Sequence, residues 1–202
     1  MKIIGVTGPS GSGKSLLTYN FAKSGIPTID ADTVYHNMLI PPSECLDALR
    51  VVFGDNIFNT DGSLNRTELA KIVFNDQSKL DLLNKTVLGL VLKEIRKQIQ
   101  LLAQAGAKAV IIDGPTLIES GFHKECDIVV TVISPKEERI RRISHRDCID
   151  EARALERISA QKPDSFYTDV SDFVIINDTD EKTFTEKISE LVIALELDMP
   201  EL

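Results

Sequence analysis

The 202 residues include 31 acidic and 23 basic side chains, for a formal net charge of −8, with 43% hydrophobic, 27% charged and 5% aromatic residues. This is the balance of an ordinary folded domain, or one domain carrying an insertion, and it excludes disordered and fibrous chains. It also excludes broad nucleic-acid binding, which needs a basic face to displace phosphate counterions.

In chain order, "KIIGVT" (2–7) predicts a short buried strand that meets a glycine-rich loop, followed by a helix from about Lys14 to Ser24. "IPTIDAD" (26–32) predicts a second strand. Residues 37–104 carry helical periodicity, most plainly in "SKLDLLNKTVLGLVLKEIRKQIQLLAQA", and predict a helical insertion. Strands follow at "KAVIIDG" (108–114), "DIVVTVIS" (127–134) and "DFVIIND" (172–178). Between the last two, 136–161 is helical and strongly charged until "QKPDS" breaks it, and the chain after Glu186 predicts a closing amphipathic helix. Unalternated Val/Ile runs suit a parallel sheet covered by helices on both faces.

Cys45, Cys126 and Cys148 show no C-x-x-C spacing, which argues against a zinc site or a disulfide framework and for a reducing cytoplasm. "MKIIGVTG" has too short an apolar run for a signal peptide, and no stretch approaches about 18 uninterrupted apolar residues. No membrane or nucleic-acid partner is expected.

Gly8 to Ser15, "GPSGSGKS", spells G-x-x-x-x-G-K-S between a strand and a helix, the context of a phosphate-binding loop. Glycines let successive N–H groups curl around phosphate oxygens, and the helix N-terminus adds partial positive charge. Lys14 would bridge the β- and γ-phosphates of ATP, and Ser15 would bind Mg²⁺. Asp113, ending "AVII", takes a Walker B-like place whose carboxylate could reach the metal. Phosphate binding alone leaves a kinase, a GTPase, an ATPase motor or a nucleotide-regulated switch. The missing N-K-x-D guanine signature and the short chain favour a small-molecule kinase. "EERIRRISHRD" gathers Arg139, Arg141, Arg142 and Arg146. Arg142 and Arg146, four apart, project from one helical face and suit a triphosphate beneath a closing flap, whereas Arg139 and Arg141 read as surface charges.

Several stretches together resemble the dephospho-coenzyme A kinase family nearly end to end. They are "VTGPSGSGKS", Asp30-Ala31-Asp32, the set of Asp61, Gly62, Leu64 and Arg66, "DGPTLIE" (113–119), Arg142 with Arg146 and Asp147, Arg157-Ile158 with Gln161, and "SDFVIIND". Pro9-Ser10 replaces a usual Gly-aliphatic pair, Leu88-Gly89 stands where the family commonly has His-Pro, and Thr116 replaces a leucine.

The resemblance implies an α/β P-loop NTPase fold: a three-layer α/β/α sandwich with a five-stranded parallel sheet, a helical acceptor insertion and a helical lid. The core would comprise 1–36, 106–135 and 163–202, the acceptor domain 37–105 and the lid 136–162. It further implies Mg²⁺- and ATP-dependent phosphorylation of the ribose 3′-hydroxyl of dephospho-coenzyme A by a cytoplasmic monomer or small homo-oligomer. ATP would be held by Gly8, Gly11, Ser12, Gly13, Lys14, Ser15, Leu16, Arg142 and Arg146, and the acceptor by Asp32, Arg66, Pro115 and Glu119. Lys14, Asp32 and Arg142 would be catalytic, with Ser15 and Asp113 at the metal. Asp32 would accept the hydroxyl proton or hold Mg²⁺ through water, leaving Asp30 as the structural carboxylate.

Overall fold

Runs of branched apolar residues build five strands: β1 (Lys2–Thr7), β2 (Thr28–Asp30), β3 (Ala109–Asp113), β4 (Ile128–Ile133) and β5 (Phe173–Ile176). In the computed structural model, which describes residues 1–195, they form one sheet in the order β2-β3-β1-β4-β5. β1 lies parallel to β3 and β4, and β4 is parallel to β5. Helix α1 (Lys14–Lys23) follows β1. Between β2 and β3 come α2 (Ala31–Met38), α3 (Glu44–Phe53), α4 (Arg66–Val73) and α5 (Gln77–Gln104). Between β4 and β5 come α6 (Lys136–Asp147), α7 (Glu151–Ser159) and α8 (Asp164–Thr168), and α9 (Glu181–Ala194) follows β5. Residues 196–202, over which the closing helix and the core segment 163–202 were expected to extend, lie outside the described residues.

The side-chain period of two divides each strand between layers. Ile4 and Val6 of β1, Ile111 of β3 and Val130 and Val132 of β4 share one buried cluster with Leu17 and Phe21 of α1 and Phe184, Ile188 and Leu191 of α9. Each such side chain contributes roughly 1.5–3 kcal/mol on leaving water. On the other face, Thr131 of β4 donates from Oγ1 to Tyr167 O of α8 at 3.4 Å. β5 is barer there: Val174 and Ile176 are 41% and 47% exposed.

Two aspartates lock the register at the amino ends of the strands. Asp127 N donates to Ile3 O at 2.8 Å while its carboxylate accepts from Ile3 N at 2.7 Å. Asp172 repeats the clasp on Val129, at 2.9 Å and 2.7 Å. Each carboxylate supplies an acceptor that pairs an N–H at the strand's start, Ile3 N for Asp127 and Val129 N for Asp172.

β2 is shorter than 26–32 because Asp30 turns the chain into a helix. Its carboxylate accepts from Asp32 N at 2.9 Å and Thr33 N at 3.3 Å, an N-cap to α2. The charged segment 136–161 forms two helices rather than one. Cys148 adopts φ 51° after α6, and Asp150 then caps α7 by accepting from Arg153 N at 2.8 Å.

Residues 1–29 with 101 onward form one compact unit, and 30–100 form a second. The second has its own core of Leu39, Cys45, Leu46, Leu49, Ile57, Leu69 and Val73. No helix among the described residues is long and apolar enough to cross a membrane.

The cysteines occupy unlike surroundings. Cys45 is buried, Cys148 is exposed, and Cys126 donates from Sγ to Phe122 O at 3.5 Å. Burial, then Asp127 and Glu125, pushes the Cys126 thiol up to about 12. The thiolate is the nucleophile, so below that pH Cys126 stays protonated and inert. Brief iodoacetamide treatment of the folded protein at pH 8 is expected to alkylate Cys148 and spare Cys126 and Cys45. Peptide mass mapping reads the result, and early labelling at Cys126 would contradict it.

Candidate active site

The phosphate loop leaves the sheet at the carboxyl end of β1, the edge where open α/β sheets bind ligands. Parallel register sets Thr7 beside Thr131 of β4 and Val6 beside Asp113 of β3. Gly8 has φ 138°, and a Cβ there would lie 2.2 Å from Val132 O. Gly13 has φ 106°, and a Cβ there would lie 2.2 Å from Asn177 Nδ2. A side chain at either position would have to displace the wall behind the loop. Gly13 opens α1, whose first turn carries no acidic residue and no side-chain cap. That helix end is left for an external anion.

The outer wall of the loop is a row of donors. Arg139 Nε donates to Ser10 O at 3.1 Å, Arg142 Nη1 to Gly11 O at 3.2 Å, and Asn177 Nδ2 to Ser12 O at 2.8 Å. Arg142 also donates to Ser134 Oγ at 3.0 Å and Asn177 Oδ1 at 3.3 Å. Lys14 Nζ curls back to Gly8 O at 2.6 Å and Pro9 O at 3.4 Å. Thr7 Oγ1 and Ser12 Oγ are buried without a hydrogen-bond partner among the described residues.

Arg139 is the clearest departure from the sequence reading. It is 6% exposed rather than a surface charge, and donates from Nη2 to Gln161 Oε1 at 2.7 Å and from Nη1 to Asp164 Oδ1 at 3.3 Å. Burial lowers its proton affinity, against the opposing pull of Asp164 and Tyr167. Spaced three before Arg142, it shares that residue's helix face, whereas Arg141 is exposed and paired with Glu138 at 2.7 Å.

Arg146 does not reach the loop here. Its Nε and Nη2 donate to the Asp147 carboxylate at 2.7 and 2.9 Å, and Arg157 bonds the same carboxylate. Arg146's hydrogen bonds, ahead of the charge of both arginines, hold the Asp147 carboxyl below the usual carboxylate range. Each of the two arginines thus has a carboxylate beside it: Asp147 bonds Arg146, and Glu138 lies 3.8 Å from Arg142.

Asp113 ends β3 beside the start of the loop, and Pro115 and Glu119 lie exposed in the turn after it. The Ser15 hydroxyl is exposed in the first turn of α1. Ser15 and Asp113 offer hard oxygen donors, and no group of three or more His, Cys, Asp or Glu among the described residues could hold a metal ion. Such a sparse oxygen set fits Mg²⁺, which keeps waters and takes substrate phosphates as ligands.

A family profile described as dephospho-CoA kinase matches residues 2–183. The chain belongs to the dephospho-CoA kinase family. The dephospho-CoA kinase of Carboxydothermus hydrogenoformans is 35% identical to it, over 93% of this chain and 91% of that one. Among solved structures, a Thermus thermophilus protein aligns with TM-score 0.79 at 29% identity, covering 98% of each chain. Dephospho-CoA kinase from Campylobacter jejuni aligns with TM-score 0.72 at 25% identity, covering 96% of this chain and 98% of that one.

Two residues that the dephospho-CoA kinase motifs single out belong to the second compact unit. Asp32 is the second residue of α2 and is exposed; Asp30 serves as that helix's cap, so the Asp32 carboxylate is not consumed by it. Arg66 opens α4, capped by Asn65, and is exposed. Its charge opposes the burial that raises the Tyr35 phenol. The dephospho-CoA kinase His-Pro position, Leu88-Gly89 here, lies inside α5, which continues through it, and a Cβ added at Gly89 would meet open space. A proline there would cost an internal helix hydrogen bond.

The sequence reading gave no site role to Arg139, Gln161, Ser134 or Asn177, although Gln161 and Asn177 stand in stretches that carry the family resemblance. Asn177 was signalled by its place just past the carboxyl end of β5. Arg139 was signalled only by its shared face with Arg142, and Gln161 by its place after Arg157-Ile158, a pattern that does not reveal its partner Ser10, 151 residues away.

Proposed function

We propose that this protein transfers the γ-phosphoryl group of ATP to the ribose 3′-hydroxyl of dephospho-coenzyme A, giving coenzyme A and ADP. The observation that carries the reading is the glycine loop at the carboxyl edge of a parallel sheet, opening an uncapped helix, within a chain of this family.

Gly8, Gly11, Ser12, Gly13, Ser15 and Leu16 cradle the triphosphate, and Lys14 draws charge from its β- and γ-phosphates. Asp32 accepts the proton of the ribose hydroxyl as that oxygen attacks; the new O–P bond forms while the β–γ bridge bond breaks, and ADP leaves with its electrons. Arg142 and Arg146 balance charge on the transferring group as the 136–162 lid excludes water. Arg66, Pro115 and Glu119 hold the acceptor, received by the 37–105 domain. Ser15 and Asp113 would hold Mg²⁺, which when bound neutralises phosphate charge. The enzyme works in the cytoplasm as a monomer or small homo-oligomer.

A coupled assay of ADP release tests this reading. With Mg²⁺, ATP and dephospho-coenzyme A, turnover is expected together with a 3′-phosphorylated product by mass spectrometry. Idle enzyme with dephospho-coenzyme A, alongside turnover of a nucleoside, would overturn the assignment.

A further inference from the structure

We infer that Arg139 and Gln161 are positioning residues for the phosphate loop, clasping both sides of Ser10 and thereby setting the loop's affinity for ATP. The inference rests on the reading of that loop as the cradle for ATP.

Four hydrogen-bonding groups close a ring. Ser10 N donates to Gln161 Oε1 at 3.1 Å, Arg139 Nη2 donates to the same oxygen at 2.7 Å, and Arg139 Nε donates to Ser10 O at 3.1 Å. The Arg139 side chain is 7% exposed, and its carboxylate partner Asp164 is 47% exposed. Burying a guanidinium against one half-solvated carboxylate is a poor source of stability, because desolvation offsets most of the attraction. What it supplies is geometry: a planar fork of donors that spans two acceptors at once.

The geometry bears on phosphate binding through the planarity of the peptide. In a trans peptide the carbonyl and the following N–H point in opposite directions. Drawing Ser10 O outward to Arg139 turns the Gly11 N–H toward the interior of the loop. Asn177, bonded to Ser12 O, does the same for the Gly13 N–H. The Ser12 N–H instead closes a turn onto Pro9 O at 3.3 Å. The inward amides are thus aimed by bonds within the protein, which removes ordering cost from binding. Gln161 follows α7, so the far end of the proposed lid is tied to the loop through the same ring.

Gln161→Leu removes the shared acceptor at little change of volume, and calorimetric titration with Mg²⁺-ATP reads the effect. The dissociation constant and the KM for ATP are each expected to rise about tenfold. The KM for dephospho-coenzyme A and kcat should stay within about twofold. Gln161→Glu keeps an acceptor facing both donors and is expected to restore ATP affinity. Arg139→Lys keeps the charge without the fork and is expected to weaken ATP as Gln161→Leu does. Unchanged ATP affinity in Gln161→Leu, failure of Gln161→Glu to restore it, or a joint loss of both substrates with a lowered Tm would overturn the inference. Lys14→Ala in the same titration separates the two claims. Loss of ATP binding there, with none in Gln161→Leu, overturns the clasp alone; undiminished binding in Lys14→Ala overturns the loop reading beneath it.

Discussion

Asp32→Ala is expected to lower kcat about a thousandfold while the KM for ATP stays within about threefold, because a general base acts on the step and not on nucleotide binding. The structure makes this substitution unusually clean. Replacing an aspartate near a helix start normally risks removing a cap, but Asp30 fills that role here, accepting from Asp32 N, Thr33 N and Thr33 Oγ1. Asp32 contributes its own N–H to that cap, and alanine retains it. The unfolding midpoint should therefore match that of the parent protein, so a fall in turnover reports chemistry rather than damage. Steady-state ADP release with saturating dephospho-coenzyme A makes the measurement. Full activity in the variant would remove Asp32 from the base role.

Lys14→Ala should behave differently in kind. In the proposed mechanism its ammonium meets phosphate in both the bound and the reacting state, so affinity for ATP and kcat should each fall about a hundredfold. The ammonium donates to Gly8 O and Pro9 O at the entry to the loop. A lysine donates as a compact point charge on a flexible stem, which a broader guanidinium does not match, so Lys14→Arg should not restore activity. Calorimetry with ATP and steady-state kinetics check both quantities. An unchanged dissociation constant would mean that the triphosphate lies elsewhere.

The α/β architecture was legible because its strands are continuous apolar runs. "VIIDG" and "IVVTVI" have no polar alternation, and the structure packs them in a sheet with helices on both faces of its centre. The phosphate loop was legible because its chemistry needs glycine and lysine at fixed spacing. Element ends were less so. β2 stops at Asp30 because a carboxylate three atoms long competes for the next amides, a choice that apolar periodicity does not register. The break at Cys148 is likewise set by a single left-handed residue inside a charged, otherwise helical stretch.

Within the site, spacing singled out the residues proposed for phosphate chemistry and gave no role to Arg139 and Gln161, which bond Ser10. Arg139 read as solvated because most arginines are, and its burial depends on a glutamine and a loop carbonyl distant in the chain. Arg146 read as an ATP ligand from its position four after Arg142, and that spacing gave no sign of its bond to Asp147, its immediate neighbour.

The departure at Pro9-Ser10 acquires a meaning from the row of outward carbonyls. Pro9 is engaged through its oxygen, by Ser12 N and Lys14 Nζ, and Ser10 through its amide and its oxygen. Neither residue enters these bonds by its side chain. Two neighbouring letters of a nucleotide-binding signature can thus drift without altering the bonds their backbone makes, and the constraint on Ser10 is written instead in residues more than a hundred positions away.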